Sequence, residues 1–165
     1  MIIRKVTPDD ARVICNIYNY YIENTAITFE TVPVSETEIE QRINDIISSG
    51  YLFYVGEVSD KIVGYYYTHR WHNRCAYATT AEVSIYMDKA ETGKGYGTQL
   101  FEHLLAHIDR KIIHVLIAGI CTPNEGSVRL HEKFGFKQVS HMKEVGRKFG
   151  QWQDVGYWQL TFNKE

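Results

Sequence analysis

Between Ala81 and His107 the chain sets out a strand, a turn with three glycines and a helix, and residue types in that order suit the holding of an anion. In Thr92-Gly93-Lys94-Gly95-Tyr96-Gly97 side chains are missing from alternate positions, so backbone N–H groups can close directly on a ligand's oxygens. Lys94 adds a positive charge there. Behind the turn, Leu100, Phe101, Leu104, Leu105 and Ile108 recur at helical spacing, which predicts a helix from about Gly95 with its unpaired N–H groups aimed at the turn. Diphosphate is the natural guest. Other polar sets flank this stretch. Arg70, His72, Arg74 and Tyr77 bring cations and a hydroxyl just ahead of Glu82, and Asn124, Ser127 and His131, at i, i+3 and i+7, form one polar stripe along a short helix.

Spacing rules out two familiar uses of such a turn. A phosphate loop of the NTPase kind needs Gly-Lys-Ser/Thr, whereas Gly93-Lys94 is followed by Gly95. A dinucleotide site needs Gly-x-Gly-x-x-Gly and an acid ending the next strand, but the third glycine comes one residue early and that strand ends in Gly119-Ile120-Cys121. His103 and His107, at i and i+4, lack an intervening Glu and a third ligand, so the expectation is no metal and two solvent-facing rings.

The elements that must position these groups are legible in outline. Ala81, Val83, Ile85 and Met87 alternate with Glu82, Ser84, Tyr86 and Asp88, the period of a strand with two unlike faces, so Glu82 points away from the apolar set. Ile2 to Val6 reads as a first strand, and Thr7-Pro8-Asp9-Asp10 supplies a cap, a first-turn proline and acids for a helix with Ala11, Ile14, Ile17, Tyr18 and Tyr21 buried. From Glu23 to Val34 the periodicity lapses into a polar loop, a candidate lid, that carries Phe29. Ser35 with Glu38 forms a capping box before Ile39, Ile43, Ile46 and Ile47, and Gly50 ends that helix. Strands Tyr51 to Val58 and Lys61 to His69 flank a Ser59-Asp60 hairpin turn, and Trp71 to Thr79 is irregular. His114 to Gly119 is a further strand, Thr122-Pro123-Asn124 opens a helix ending at Gly135, and Phe136 to Lys143 and Trp152 to Phe162 are the last strands, separated by Gly146-Arg147-Lys148-Phe149-Gly150. Seven strands and four helices in this order predict an α/β fold with a mixed sheet and a parallel crossover only at its middle.

With 165 residues the chain suits one domain, residues 1–165, long enough to bury roughly 70% of its unfolded surface. Eighteen Lys and Arg against 20 Asp and Glu give a net charge of −2 without blocks of one sign, which argues against a nucleic-acid partner. The tyrosines at 65 to 67 read as strand packing, since no basic stripe accompanies them. Cys15, Cys75 and Cys121 are scattered without Cys-x-x-Cys spacing, and the amino terminus runs into a charged strand, so a reducing cytoplasm is expected. No apolar run approaches the roughly 20 residues that span a bilayer.

The turn resembles the Arg/Gln-x-x-Gly-x-Gly/Ala element of the GNAT superfamily of acyl-CoA N-acyltransferases, with Thr92 in the Arg/Gln position. Asn124-x-x-Ser127-x-x-Leu130-His131-Glu132-x-x-Gly135-Phe136 resembles that superfamily's second motif. The tail Gly146-Arg147-Lys148-Phe149-Gly150-Gln151-Trp152-Gln153-Asp154 with Tyr157-Trp158-Gln159 resembles the phosphinothricin and L-amino acid N-acetyltransferase branch. The resemblance implies a GNAT fold, acetyl-CoA as cosubstrate, a small amino acid or analogue as the acceptor amine, and a homodimer. It also assigns residues. Glu82, in Thr80-Ala81-Glu82-Val83-Ser84-Ile85-Tyr86, is the implied catalytic base and His131 the second acid or base. Ile85, Tyr86, Met87, Thr92, Gly93, Lys94, Gly95, Tyr96, Gly97, Thr98, Asn124 and Ser127 are implied in binding the coenzyme, and Phe29, Arg74, Tyr77 and Thr80 in binding the acceptor. His72 stands where the branch often has Lys. The open alternatives are a GNAT enzyme for another amine, such as a protein amino terminus, an aminoglycoside or a polyamine, and an acyl-CoA sensor without turnover.

Overall fold

The computed structural model describes residues 1–162, so the last three residues of the expected 1–165 domain lie outside the described part. Its elements follow the predicted order: β1 (Ile2–Lys5), α1 (Ala11–Asn24), α2 (Glu36–Ser48), β2 (Phe53–Val58), β3 (Lys61–Arg70), β4 (Thr80–Met87), α3 (Tyr96–His107), β5 (Val115–Thr122), α4 (Glu125–Lys133), β6 (Lys137–Lys148) and β7 (Gln151–Thr161). The strands hydrogen-bond in the order β1-β2-β3-β4-β5-β7-β6, a mixed seven-stranded sheet. Close packing divides the chain into two units. The first comprises Met1–Tyr20, Pro33–His69 and Val83–Ile108, and the second Tyr21–Val32, Arg70–Glu82 and the chain from Asp109 onward. Among the described residues no helix is long and apolar enough to cross a membrane.

In the first unit a short 3-10 turn, Pro8–Asp10, precedes α1, and the Asp10 carboxylate accepts hydrogen bonds from the Thr7 N–H (2.8 Å) and from both terminal nitrogens of Arg4 (2.8 Å each). Burial alone raises Asp10, but the bonds from Arg4 and Thr7 outweigh it and hold the carboxyl below its usual range. Arg4 also reaches Glu57 on β2 (2.6 Å), so one guanidinium ties β1, the start of α1 and β2 together. The apolar stripe of α1 packs as expected at Ala11, Ile14, Ile17 and Tyr18. Ser35 accepts the Glu38 N–H (3.1 Å) at the head of α2, and Gly50 takes the left-handed φ of +80° that lets the helix stop. Ile39 and Ile43 are buried while Ile47, expected inside, is 46% exposed, because it lies past the edge of the stripe. Ser59 and Asp60, with φ of 49° and 62°, make the left-handed two-residue turn that suits strand twist. Leu100, Phe101 and Leu104 of α3 are completely buried. By the ~25 cal/mol per Å² scale, each such side chain contributes about 1.5–3 kcal/mol to holding α3 down.

In the second unit the start of β4 pairs in parallel with β5 through Thr80, Ala81 and Glu82, β5 pairs with β7 in antiparallel fashion, and β6 pairs with β7. Two strand ends in this unit differ from expectation by three residues or more. β5 does not end at Gly119 but runs to Thr122, since Gly119 is not a breaker: a Cβ there would meet the Tyr157 ring at 3.2 Å and the Glu82 carboxylate at 3.4 Å. The basic segment expected between the last strands is largely strand. β6 continues through Gly146, Arg147 and Lys148 after a register shift between Met142 and Gly146, where Glu144 has φ of 54° and gives its N–H to Asp154 (2.8 Å). Only Phe149 and Gly150 turn the chain, both with positive φ.

Candidate active site

The anion cradle belongs to the first unit. At the end of β4, Tyr86 stacks on Tyr65 (centroids 5.6 Å) and meets Tyr18 edge-on (5.1 Å), which fixes the strand just before the turn. Gly64 of β3 is bare where Met87 arrives, since a Cβ would lie 2.6 Å from Met87 Sδ. Asp88 then caps a 3-10 turn, Lys89–Glu91, by accepting the Ala90 N–H (2.9 Å), and the Thr92 hydroxyl donates to the Lys89 carbonyl (3.0 Å). Gly93 and Gly95 take φ of +77° and +83°, with nothing within 4 Å of a Cβ added at either. Conformation alone therefore demands these glycines. Gly95 caps α3, and the amides of Tyr96, Gly97 and Thr98 open the helix without intrahelical acceptors. The Lys94 ammonium, the positive charge expected at the turn, is paired with Glu91 (2.8 Å), which raises its pKa.

The second unit carries Glu82, His131, Asn124, Ser127, Phe29, Arg74, Tyr77 and Thr80. Glu82 is half-buried, opposite Ile117 in the parallel ladder, with its carboxylate over the bare Gly119 backbone. Tyr157 lies at the same place. Burial, and then the charge of Glu82, push its phenol upward, so it stays a neutral hydroxyl at physiological pH. The carboxylate, the glycine gap and the phenol together form a small polar floor. Sequence reasoning missed Gly119 and Tyr157 as parts of it, and the one available signal was a glycine inside an apolar strand.

On α4, Asn124 caps the helix by accepting the Ser127 N–H (3.2 Å). The expected polar stripe is not a solvent-facing one, because His131 is only 3% exposed and packs edge-on against Phe136 (5.2 Å). Its Nδ1 bonds the Ser127 carbonyl at 2.8 Å. A carbonyl only accepts, so Nδ1 carries the hydrogen and the neutral ring has its lone pair on Nε2. Burial lowers the pKa of this imidazole, against the opposing Ser127 bond.

Arg74 is exposed at the head of a 3-10 turn, Cys75–Tyr77, and Tyr77 meets Trp71 edge-on (5.2 Å) and His72 (5.2 Å). Thr80 is half-buried at the start of β4. Phe29 is 40% exposed, with its ring against Gly146 of β6. In the first unit a pocket of about 320 Å³ is lined by Ile14, Tyr18, Ile39, Tyr65 and Tyr67 among others, and none of the predicted site residues borders it.

Among the described residues no three His, Cys, Asp or Glu side chains gather as metal ligands. His107 is exposed as expected, whereas His103 is half-buried: the two rings stack at 3.8 Å, His103 Nδ1 is bonded to the Tyr66 hydroxyl (2.8 Å), and burial and then His107 lower the pKa of His103.

Comparisons with known proteins place the chain in a family. Residues 3–156 match the family described as Acetyltransferase (GNAT) domain. A phosphinothricin N-acetyltransferase of Streptomyces viridochromogenes is 35% identical over 162 residues, covering 97% of this chain and 87% of that protein. An acetyltransferase structure from Salmonella typhimurium, solved with its cofactor acetyl-CoA, superposes with a TM-score of 0.96 at 32% identity, covering 100% of this chain and 95% of that one. A structure of a ribosomal-protein-alanine N-acetyltransferase from Brucella melitensis superposes with a TM-score of 0.95 at 30% identity, covering 98% of this chain and 100% of that one. The chain belongs to the GNAT acetyltransferase family.

Proposed function

We propose that the chain transfers acetyl from acetyl-CoA to the free amine of a small amino acid or analogue of the phosphinothricin or methionine sulfoximine type. The observation that carries this reading is the Glu82 carboxylate, held over the bare Gly119 backbone on the strand that leads into the glycine turn. In this reading the N–H groups from Thr92 through Thr98 hold the coenzyme's pyrophosphate, for which two left-handed glycines and an unpaired helix start are a fitting cradle. Ile85, Tyr86 and Met87, with Asn124 and Ser127, bind the pantetheine arm. The amine's lone pair attacks the thioester carbonyl, and the nitrogen's proton passes to Glu82 directly or through a water. The tetrahedral centre collapses with C–S cleavage to expel the coenzyme thiolate, which takes up a proton from solvent and leaves as free thiol. An α-amino group titrates near 8 in a peptide, so most of it must shed a proton at the site. His131 is the second acid–base group. Its burial favours the neutral ring with Nε2 as the basic nitrogen. Arg74 holds the acceptor's carboxylate, with Tyr77, Thr80 and Phe29 shaping the space around it.

The reading extends to the whole molecule. Residues 1–165 act as one GNAT domain, in the cytoplasm, with no nucleic-acid or membrane partner. The protein is a homodimer, a state supported by the exposed Val139, Met142, Val145, Phe149 and Trp152 on and around the terminal strand β6.

The test is release of free thiol from acetyl-CoA with free amino acids, phosphinothricin, methionine sulfoximine, polyamines, aminoglycosides and alanine-ended peptides offered in turn. Turnover confined to small amino acids or their analogues is expected. The similarity to the Brucella melitensis structure favours a second reading, acetylation of a protein's amino terminus. Thiol release with the peptides alone selects it and overturns the first.

A further inference from the structure

The segment from Thr25 to Val34 has no helix or strand of its own, so other parts of the fold must fix its shape. Its anchor in the second unit is Lys148, at the end of β6, whose ammonium donates to the Thr28 carbonyl at 2.8 Å across 120 residues of sequence. Both groups are out of water, with Lys148 at 4% exposure and Thr28 at 7%. A lysine is a costly way to fill such a space, and desolvation lowers its pKa while Cys121 and Glu30 oppose the change. An apolar side chain would fill the volume without that penalty, so the hydrogen bond is what this lysine provides.

Two residues earlier, on the same face of β6, stands Gly146. A Cβ there would lie 2.6 Å from Phe29 Cζ, so the Phe29 ring occupies the place of the missing side chain. Alternate residues of one strand thus hold consecutive residues of the loop, Lys148 the backbone of Thr28 and Gly146 the ring of Phe29.

We propose that the Lys148–Thr28 bond and the Gly146 seat form a latch that presents Phe29 to the acceptor amine, which makes Lys148 a positioning residue for acceptor binding. The link to the acceptor rests on the amino-acid N-acetyltransferase reading above. The latch itself does not. The two separate experimentally.

With phosphinothricin as acceptor, K148M is expected to raise the acceptor KM roughly tenfold, equivalent to ~1.4 kcal/mol, with the KM for acetyl-CoA unchanged. In an F29A background the same substitution adds nothing further, because its effect runs through the ring. An equal rise in both KM values, or an undiminished rise in F29A, overturns the proposal. G146A displaces Phe29 without touching the lysine and shows the same KM pattern, which keeps the test intact if K148M folds poorly. Amide hydrogen exchange of residues 26–30 in ligand-free protein reads the latch alone. Faster exchange in K148M supports it even if no amino acid is acetylated, an outcome that rejects only the acceptor reading. Unchanged exchange rejects the latch.

Discussion

Gly95→Ala puts the cradle to a quantitative test. Gly95 has φ of +83° and ψ of 0°, and no atom lies within 4 Å of an added Cβ, so the substitution carries a conformational cost with no steric one. For an L-residue the left-handed region costs roughly 1–2 kcal/mol. At ~2.1 cal/mol/K per residue, 165 residues unfold with an entropy near 350 cal/mol/K, so strain kept in the folded turn lowers Tm by about 3–6 °C. If the turn relaxes to negative φ, the loss in Tm is smaller, but the helix-start amides turn away and the ligand must restore them. The same energy then appears as a Kd for acetyl-CoA raised about 5- to 30-fold. Differential scanning calorimetry and titration calorimetry on one preparation read both. Asn at this position, which tolerates left-handed φ, retains most of the wild-type values. Unchanged Tm together with unchanged Kd in Gly95→Ala refutes the reasoning, because strain that is neither stored nor relieved was never there.

Three further outcomes are expected. Glu82→Gln lowers kcat by about 100- to 10,000-fold while acetyl-CoA binding stays as in wild type, measured by thiol release and calorimetry, and near-normal turnover removes Glu82 as the base. Arg74→Ala raises KM for amino-acid acceptors about 10-fold or more with little change for acceptors lacking a carboxylate, and an unchanged KM rejects the carboxylate clamp. The third concerns pH. His131 has its folded pKa pushed below the ordinary 6.5, so the unfolded chain binds the extra proton, and this part of the stability is complete above about pH 6.5 and lost as pH falls toward the folded value. Melting curves between pH 5 and 8 should therefore show Tm rising with pH, with a shallower slope in His131→Gln. Some slope remains in that variant, since the depressed pKa of His103 acts with the same sign.

Local chemistry made much of the fold legible and left the rest out of reach. The two-residue alternation of β4 put Glu82 on the less apolar face, and the structure leaves it half-buried there beside completely buried Ala81. Gly93 and Gly95 were legible as turn glycines because φ is a property of one residue, and the caps at Ser35 and Asn124 because they act over three. Gly119 was misread as a strand end, since a glycine needed for space looks in sequence like one needed for a turn. Its reason lies in Glu82 and Tyr157, 37 and 38 positions away. Lys148 was placed between the last two strands with no sign of its burial, and only the Thr28 carbonyl, brought in by the fold, explains that burial.

His131 shows what such long-range packing adds to chemistry. Helical spacing set it in a stripe with Asn124 and Ser127, from which an imidazole near pKa 6.5 serves equally as donor or acceptor. Packing against Phe136 removes that symmetry by taking the ring out of water, which disfavours the cation. The bond from Nδ1 to the Ser127 carbonyl then selects one of the two neutral tautomers, because the reverse tautomer would set two acceptors 2.8 Å apart. Residue type made His131 a candidate for acid–base work; the α4 backbone and the buried ring together favour its neutral form, with the hydrogen on Nδ1 and the lone pair on Nε2.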